Sequence, residues 1–401
     1  MDLLQVAFSK EFVEQCIAKG VDKSIPRSIL TEFCLADYRR ELTDKIQSGE
    51  YKLSPPRVVK IPKDNGSFRE IYVCNPVDRM VLSLLNAALD YLYGDRLSPA
   101  CMSYQKGLSC AKVVRELPQH SLAGYKVDLS KYFDSVTKDA LFAMLKELDT
   151  GSAADKLLWE FYSDDTVIVD NQPEVRYKSL GQGCATAAFL SNYLLRNVDN
   201  LMLSKCTYYC RYSDDMLITG PNATEALAEL KQQLRQFGLT LNPDKVEEIS
   251  PDKEFKFLGF GIKGSVVTIS RKDMQAKKRE VKHALKLVDY HLPFKERLQK
   301  SIDAVKRVFF NFSEPCHGWL YAKALGINDY TRISELDKYC KDCIRATVLG
   351  GWNYTHNVHK IPNSLLQELG YVSLVHMAKA ARIDRSFFRE EHLLCVKQHM
   401  I

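Results

Sequence analysis

The chain has 401 residues, 46% of them apolar, which is enough for two or three lobes with full cores and excludes a disordered or fibrous polypeptide. No apolar run approaches the roughly 18 residues of a membrane span. Its net charge of +6 is modest for a nucleic-acid binder, and its 12 cysteines without a secretory leader imply free thiols in a reducing, cytoplasmic compartment.

In chain order, the first informative segment runs from Arg57 to Ile71 around Asn65-Gly66, a strong hairpin signal that carries Lys63 and Arg69 on its two arms. Asp78-Arg-Met-Val-Leu82 follows. Next, Val127-Asp128 ends an apolar, strand-like run, with Phe133 five residues and Asp134 six residues farther on. Leu157-Leu-Trp-Glu-Phe161 reads as a helix end and Thr166-Val-Ile-Val169 as a strand, so Tyr162-Ser-Asp-Asp165 suits an exposed helix-to-strand turn. Gly181-Gln182-Gly183 lets backbone approach a ligand closely, and Ala185 to Leu195 reads as a buried helix with a small-residue face. Arg211-Tyr-Ser-Asp-Asp-Met-Leu-Ile218 places Asp214 and Asp215 at the tip of a β-hairpin with apolar arms.

Beyond Phe260 the charge changes. Between residues 263 and 307 there are 13 Lys or Arg against five Asp or Glu, so the remainder of the chain is slightly acidic. Val281, Leu285, Val288 and Leu292, then Leu298, Ile302, Val305 and Phe309, recur at helical spacing. Either a solvated helix face or a surface gripping a nucleic-acid backbone has this character. Cys340-Lys-Asp-Cys343 lies inside an amphipathic helical pattern, with no second pair to complete a zinc site. The tail from Ser373 reads helical and receives no role.

The acids carry the chemistry. If the fold sets Asp128 beside the 211–218 hairpin, three carboxylates share one space, and each like-charged pair some 4 Å apart costs roughly 4 kcal/mol at an effective dielectric of about 20. Bound cations or raised pKa values must relieve this, and oxygen-only ligands suit Mg²⁺. Two such ions about 3.5–4 Å apart, clamping attacking and leaving oxygens, are how polymerases transfer nucleotidyl groups. The Asp164-Asp165 pair remains a rival on residues alone.

The order of segments resembles the bacterial reverse transcriptases of the group II intron and retron-like superfamily. Residues 57–71 are similar to that family's first finger motif, and Asp78 to Leu82 to the segment after it. Asp128–Asp134 resembles motif A, Gly181–Gly183 with 187–192 motif B, and 212–215 motif C. Leu239–Lys245 resembles motif D and Phe257-Leu258-Gly259-Phe260 motif E, the primer grip. This order holds only if Asp214 and Asp215 are the metal pair. Ala187-Ala188 stands where the group II pattern has Ser-Pro.

The resemblance implies an α+β right-hand polymerase: fingers over 1–125 with returns near 155–182, a palm with an antiparallel sheet over 126–262, and a helical thumb over 263–401. It implies RNA-directed DNA synthesis from dNTPs with two Mg²⁺ ions (Mn²⁺ as a substitute). Asp128, Asp214, Asp215 and the Leu129 carbonyl would hold the metals. Lys63, Arg69, Phe133, Gln182, Gly183 and Lys245 would contact the nucleotide, with Phe133 excluding a 2′-hydroxyl. Arg271, Lys272, Lys277, Lys278, Arg279, Lys282 and Lys286 would grip template and product. Asn86-Ala-Ala-Leu-Asp90 lacks the retron histidine and Val267-Thr-Ile the retron glycine. The implied subtype is therefore a stand-alone, defence-associated enzyme copying a structured non-coding RNA into cDNA. A retron-like or intron-derived enzyme and a binding-only, maturase-like RNA chaperone stay open. So do the oligomeric state and priming from a protein hydroxyl.

Overall fold

The computed structural model describes residues 2–22, 24–62, 66–119, 122–384 and 388–389. It divides into two compact units, one of Met1–Lys106 with Gly124–Glu248 and the other of Gly107–Ala123 with Ile249–Ile401. The mixed helix-and-strand content with antiparallel sheets is that of the α+β class expected.

The strands of the first unit are β1 (Arg57–Pro62), β2 (Phe68–Val73), β3 (Gly124–Asp128), β4 (Thr166–Val169), β5 (Gln172–Val175), β6 (Tyr208–Tyr212), β7 (Asp215–Thr219) and β8 (Glu247–Ile249). They form two sheets, ordered β2-β1-β4-β5 and β6-β7-β3-β8. The 57–71 segment does form a hairpin, with Arg57 opposite Val73 and Pro62 opposite Phe68. Its tip, including Lys63 and Asn65, lies outside the described residues.

One apolar core runs through the whole unit, from Leu3 to Leu239, so a break at residue 125 divides nothing physically. The helix Pro76–Tyr93 supplies its longest rod. Asn75 caps it by accepting from the Asp78 amide, Pro76 sits in the first turn where no amide donor is needed, and Met80, Val81, Leu84, Leu85, Ala88 and Leu89 are all buried. Asp78 is structural, accepting from the Tyr51 hydroxyl, the Ser54 amide and the Asn75 side chain.

The second unit has β9 (Phe255–Phe257), β10 (Phe260–Lys263) and β11 (Val266–Ile269) in an antiparallel meander. Helices Arg271–Lys286, Phe294–Phe309 and Thr331–Leu349 pack on one another, and Leu374–Ile383 packs on the last of them. The expected boundary at 262 thus falls inside this unit, because β9 to β11 pair only among themselves. The expected helical stripe is also corrected. Val281 and Leu285 are buried on the first helix, but that helix ends at Lys286, leaving Val288 and Leu292 beyond it. Pro293 precedes the next helix and disfavours helical geometry at Leu292, the residue before it. The helix containing Cys340 and Cys343 buries both thiols. Among the described residues no helix is long and apolar enough to cross a membrane. Most of the tail beyond 384 lies outside the described residues.

Candidate functional site

The central sheet of the first unit gathers the acids. β3 runs antiparallel to β7 with Gly124 opposite Thr219 and Asp128 opposite Asp215. The register depends on Gly124, at φ +151°, where an added Cβ would lie 2.1 Å from the Ile218 carbonyl oxygen. β6 pairs with β7 on the other side, Tyr212 opposite Asp215, leaving Ser213-Asp214 as a two-residue turn. Ser213 takes φ +58°, the sign required at the first central position of a type II′ hairpin turn. The Leu129 amide donates to the Asp214 carbonyl at 3.0 Å, tying the turn to the end of β3. Asp128, distant in sequence, is thereby set beside the adjacent pair Asp214-Asp215.

Their electrostatics follow. Burial, then the charge of Asp128, holds the Asp214 carboxyl above its ordinary value. Burial, then Asp214 and Asp128, pushes Asp215 up to about 6. Opposing these, Lys245 is exposed, yet its ammonium donates to both carboxylate oxygens of Asp128 at 2.7 Å. The short 3-10 helix Pro243–Lys245 is positioned by the Asn242 amide, which donates to the Asp128 carbonyl, and by Ser130 donating to Thr240. Arg69, exposed on β2, also bears on Asp214 through its charge.

Among the described residues, no three His, Cys, Asp or Glu side chains converge in ion-holding geometry. At Asp128 the Lys245 ammonium supplies the compensating positive charge. The donor set still fits a hard divalent cation, because it is all oxygen and its acids repel one another.

Around this centre, Phe133 is half-buried against Tyr132, with ring centroids 5.3 Å apart. Gly183, at φ +110°, lies against β2, where a Cβ would come within 2.4 Å of the Ile71 side chain. The Gln182 carbonyl accepts from the Tyr72 amide at 2.8 Å, so the 181–183 loop is an extension of the finger hairpin. The helix after it spans Ala187–Leu194, fully embedded apart from Ala188.

Sequence reasoning missed the support beneath the acids. Arg211 and Asp199 form an ion pair with both side chains fully buried, 2.7 Å apart. Arg211 also donates to the carbonyls of Ser213 and Asn192, and Tyr209 donates to Asp199. Asn192 in turn bonds Ser103, and the Tyr104 hydroxyl meets that of Ser213 at 3.4 Å. A charge inside the apolar strand Tyr-Tyr-Cys-Arg-Tyr was the available signal, since a buried guanidinium demands a partner.

The rival pair lies elsewhere. Asp164 accepts from the Thr166 amide at 2.8 Å, and Asp165 accepts from the Lys178 amide and pairs with Lys138. Both serve the helix-to-strand turn.

In the second unit, Leu258 (φ +48°) and Gly259 (φ +82°) are the two turn residues between Phe257 and Phe260, the left-handed pair of a type I′ hairpin. Lys272, Arg279, Lys282 and Lys286 are exposed on the helix Arg271–Lys286, as is Arg271, whose nearest acid is Glu254 at 3.8 Å. Lys277 instead turns inward, donating to Glu280 and the Val308 carbonyl over the Trp319 ring. Lys278 lies over Tyr339.

The model of the family described as reverse transcriptase (RNA-dependent DNA polymerase) matches residues 61–262. The COX1/OXI3 intron 1 protein of Saccharomyces cerevisiae is 24% identical over 287 residues, 56% of this chain and 34% of that protein. The intron 2 protein of the same yeast is 27% identical over 171 residues, 42% of this chain and 20% of its own length. The chain thus spans a third or less of these relatives. Protein YkfC of Escherichia coli K12 is 22% identical over 54% of this chain and 69% of its own. Among solved structures, apo telomerase from Candida tropicalis is similar at 13% identity, covering 86% of this chain and 65% of that one with a TM-score of 0.44. Telomerase from Candida albicans with a fragment of telomeric RNA is similar at 14% identity, covering 80% and 65% with a TM-score of 0.43.

Proposed function

The chain belongs to the reverse transcriptase family, whose model covers half of it, and from that premise we propose that it is an RNA-directed DNA polymerase of the right-hand class, joining deoxynucleotides on an RNA template. The observation that carries the reading is the register that sets Asp128 opposite Asp215 with Asp214 in the adjoining turn. In this reading Asp128, Asp214 and Asp215, with the Leu129 carbonyl, hold two Mg²⁺ ions (or Mn²⁺). When bound, these ions supply charge neutralisation and activation of the attacking hydroxyl.

The chain's own residues do the rest. Asp214 and Asp215, raised by burial and then by neighbouring carboxylates, would exchange protons for divalent charge. Lys245, paired with Asp128 here, would be free to neutralise the departing pyrophosphate when Asp128 holds a metal ion. Arg69, with Lys63, meets the triphosphate from the finger hairpin. Phe133 closes the space beside the sugar's 2′ carbon, selecting deoxyribose. Gln182 and Gly183 present backbone to the incoming nucleotide, held by the bond to Tyr72. Phe257, Leu258 and Gly259 form the tight hairpin that grips the primer end. The exposed Arg271, Lys272, Arg279, Lys282 and Lys286, with Lys278, contact the phosphate backbone. Lys277, turned inward, contributes packing instead.

The template in this reading is a dedicated structured non-coding RNA, copied into cDNA in antiviral defence within the cytoplasm; resemblance alone supports this finer part. A second reading, an intron-derived enzyme, draws on the likeness to the yeast intron proteins. Sequencing the nucleic acid bound to purified protein before and after dNTP addition separates the two. Defence-type synthesis returns one host-encoded RNA with its cDNA, and the intron-derived reading returns intron RNA. The chemistry itself is tested by Asp214→Ala with Asp215→Ala, which should abolish dNTP incorporation in a folded protein. Undiminished synthesis would overturn the assignment.

A further inference from the structure

Away from the acids, Lys178 has an environment that the polymerase reading leaves unexplained. Its side chain is buried, with the residue only 1% exposed, and its ammonium lies 3.9 Å from the centre of the Phe161 ring. Its hydrogen bonds run through the backbone: the amide donates to Asp165 and the carbonyl accepts from Lys138 at 2.8 Å. Among the described residues no hydrogen bond or ion pair engages the ammonium itself. A buried charge faced by a ring, with the Asp164 charge acting from beyond ion-pair distance, is costly, because these replace little of the lost hydration. Burial accordingly favours the neutral amine and lowers its pKa.

Lys178 lines a cavity of about 390 Å³ together with Lys52, Leu53, Ser54, Pro55, Glu160, Phe161, Ser163 and Asp164. We propose that this cavity binds a small oxyanion, a carboxylate or phosphate group, with the Lys178 ammonium as its counter-charge. Several features favour an anion over a neutral ligand. Lys178 contributes a cation, and the Ser54 hydroxyl, which accepts from Asn75, keeps its proton to donate into the cavity. Of the two acids, Glu160 already has Lys52 at 3.6 Å and Lys156 at 4.0 Å. Asp164 has one oxygen committed to the Thr166 amide, and its remaining charge favours a monoanion over a dianion. The site is connected to the 181–183 loop, since Lys178 lies three residues before Gly181 and is clamped by Lys138 and Asp165.

The test is calorimetric titration of the full-length protein with sodium formate and with phosphate at pH 6 and pH 8, at constant ionic strength. Melting temperatures are followed in parallel. Saturable binding is expected for formate and for the monoanionic phosphate of pH 6, with weaker binding of the dianion at pH 8, and each bound anion should raise the melting temperature. Lys178→Met should weaken binding about ten- to a hundredfold, the worth of a charge-assisted hydrogen bond. It should also raise the melting temperature in anion-free buffer, because it removes a buried charge that no hydrogen bond satisfies while keeping the apolar stem. A wild-type protein with no saturable response to either anion overturns the proposal without reference to the variant. So does a Lys178→Met protein that binds as wild type does. If the variant instead melts lower without anion, Lys178 is a packing element and the assignment fails. Polymerase activity is not a readout, so these outcomes are separate from the fate of the catalytic reading.

Discussion

At the scale of single residues, the site is governed by charges that repel one another. Asp215 titrates at about 6 in the folded protein, against 3.8 for an ordinary aspartate. Between those values the folded state binds the extra proton, so this contribution to stability is fully present below about pH 4 and is lost as pH rises through about 6. Metal-free protein should show a component of its melting temperature that declines across this window, worth on the order of 2 kcal/mol. Asp215→Asn should remove it, and Mg²⁺ should offset the loss above pH 6. A variant whose pH profile superimposes on that of the wild type would contradict the shift. Phe133 makes an independent prediction. Truncation to Ala should raise ribonucleotide incorporation relative to deoxyribonucleotide, measured by competing the two at equal concentration. An unchanged ratio removes Phe133 as the sugar gate.

At the scale of elements, the 208–219 hairpin stands on a buried polar frame. Arg211 holds the turn, through the Ser213 carbonyl, and two neighbouring helices, Ala187–Leu194 through Asn192 and Arg196–Lys205 through Asp199. Removing one partner leaves the other charge buried and alone, so Asp199→Ala should cost about 3–5 kcal/mol in chemical denaturation. A loss under 1 kcal/mol would show that the pair does not support the hairpin. The second Asp-Asp pair behaves oppositely in function. Asp165→Ala breaks the pair with Lys138 and frees the Lys178 amide, so the protein should lose about 1–3 kcal/mol while retaining dNTP incorporation. Complete inactivity in a folded Asp165→Ala protein would reopen the rival assignment. What made the two pairs hard to separate by eye is that both follow a Tyr-Ser. In the structure register distinguishes them, since Asp215 pairs across to a third acid and Asp164-Asp165 have amides and a lysine.

At the scale of the whole molecule, charge is unequally shared. The excess of basic residues between 263 and 307 lies largely on the helices Arg271–Lys286 and Phe294–Phe309, while the acid cluster belongs to the other unit. Reversing Arg279, Lys282 and Lys286 to Glu should weaken RNA binding and flatten its salt dependence, by about 0.7–0.9 in slope for each phosphate no longer neutralised. The same reversal at the inward Lys277 should instead lower stability, because Glu cannot donate to the Val308 carbonyl. An unchanged salt slope in the triple variant would mean that RNA is held elsewhere.

Local patterns were enough to identify the hairpins at 57–73 and 208–219, the buried helix after Gly183 and the basic helical region. Each rests on alternation, turn chemistry or helical spacing, which act over a few residues. The order of motifs likewise named the three acids, because order is a property of the chain itself. Tertiary structure decided what depends on partners far apart in sequence: Lys245 on Asp128, Asp199 under Arg211, the inward turn of Lys277, the end of the basic helix at Lys286, and the burial of Lys178 beside a cavity. A charged residue written in a sequence is the same letter whether solvated, paired or buried alone. Only the surroundings supplied by folding fix its energy, and with it its role.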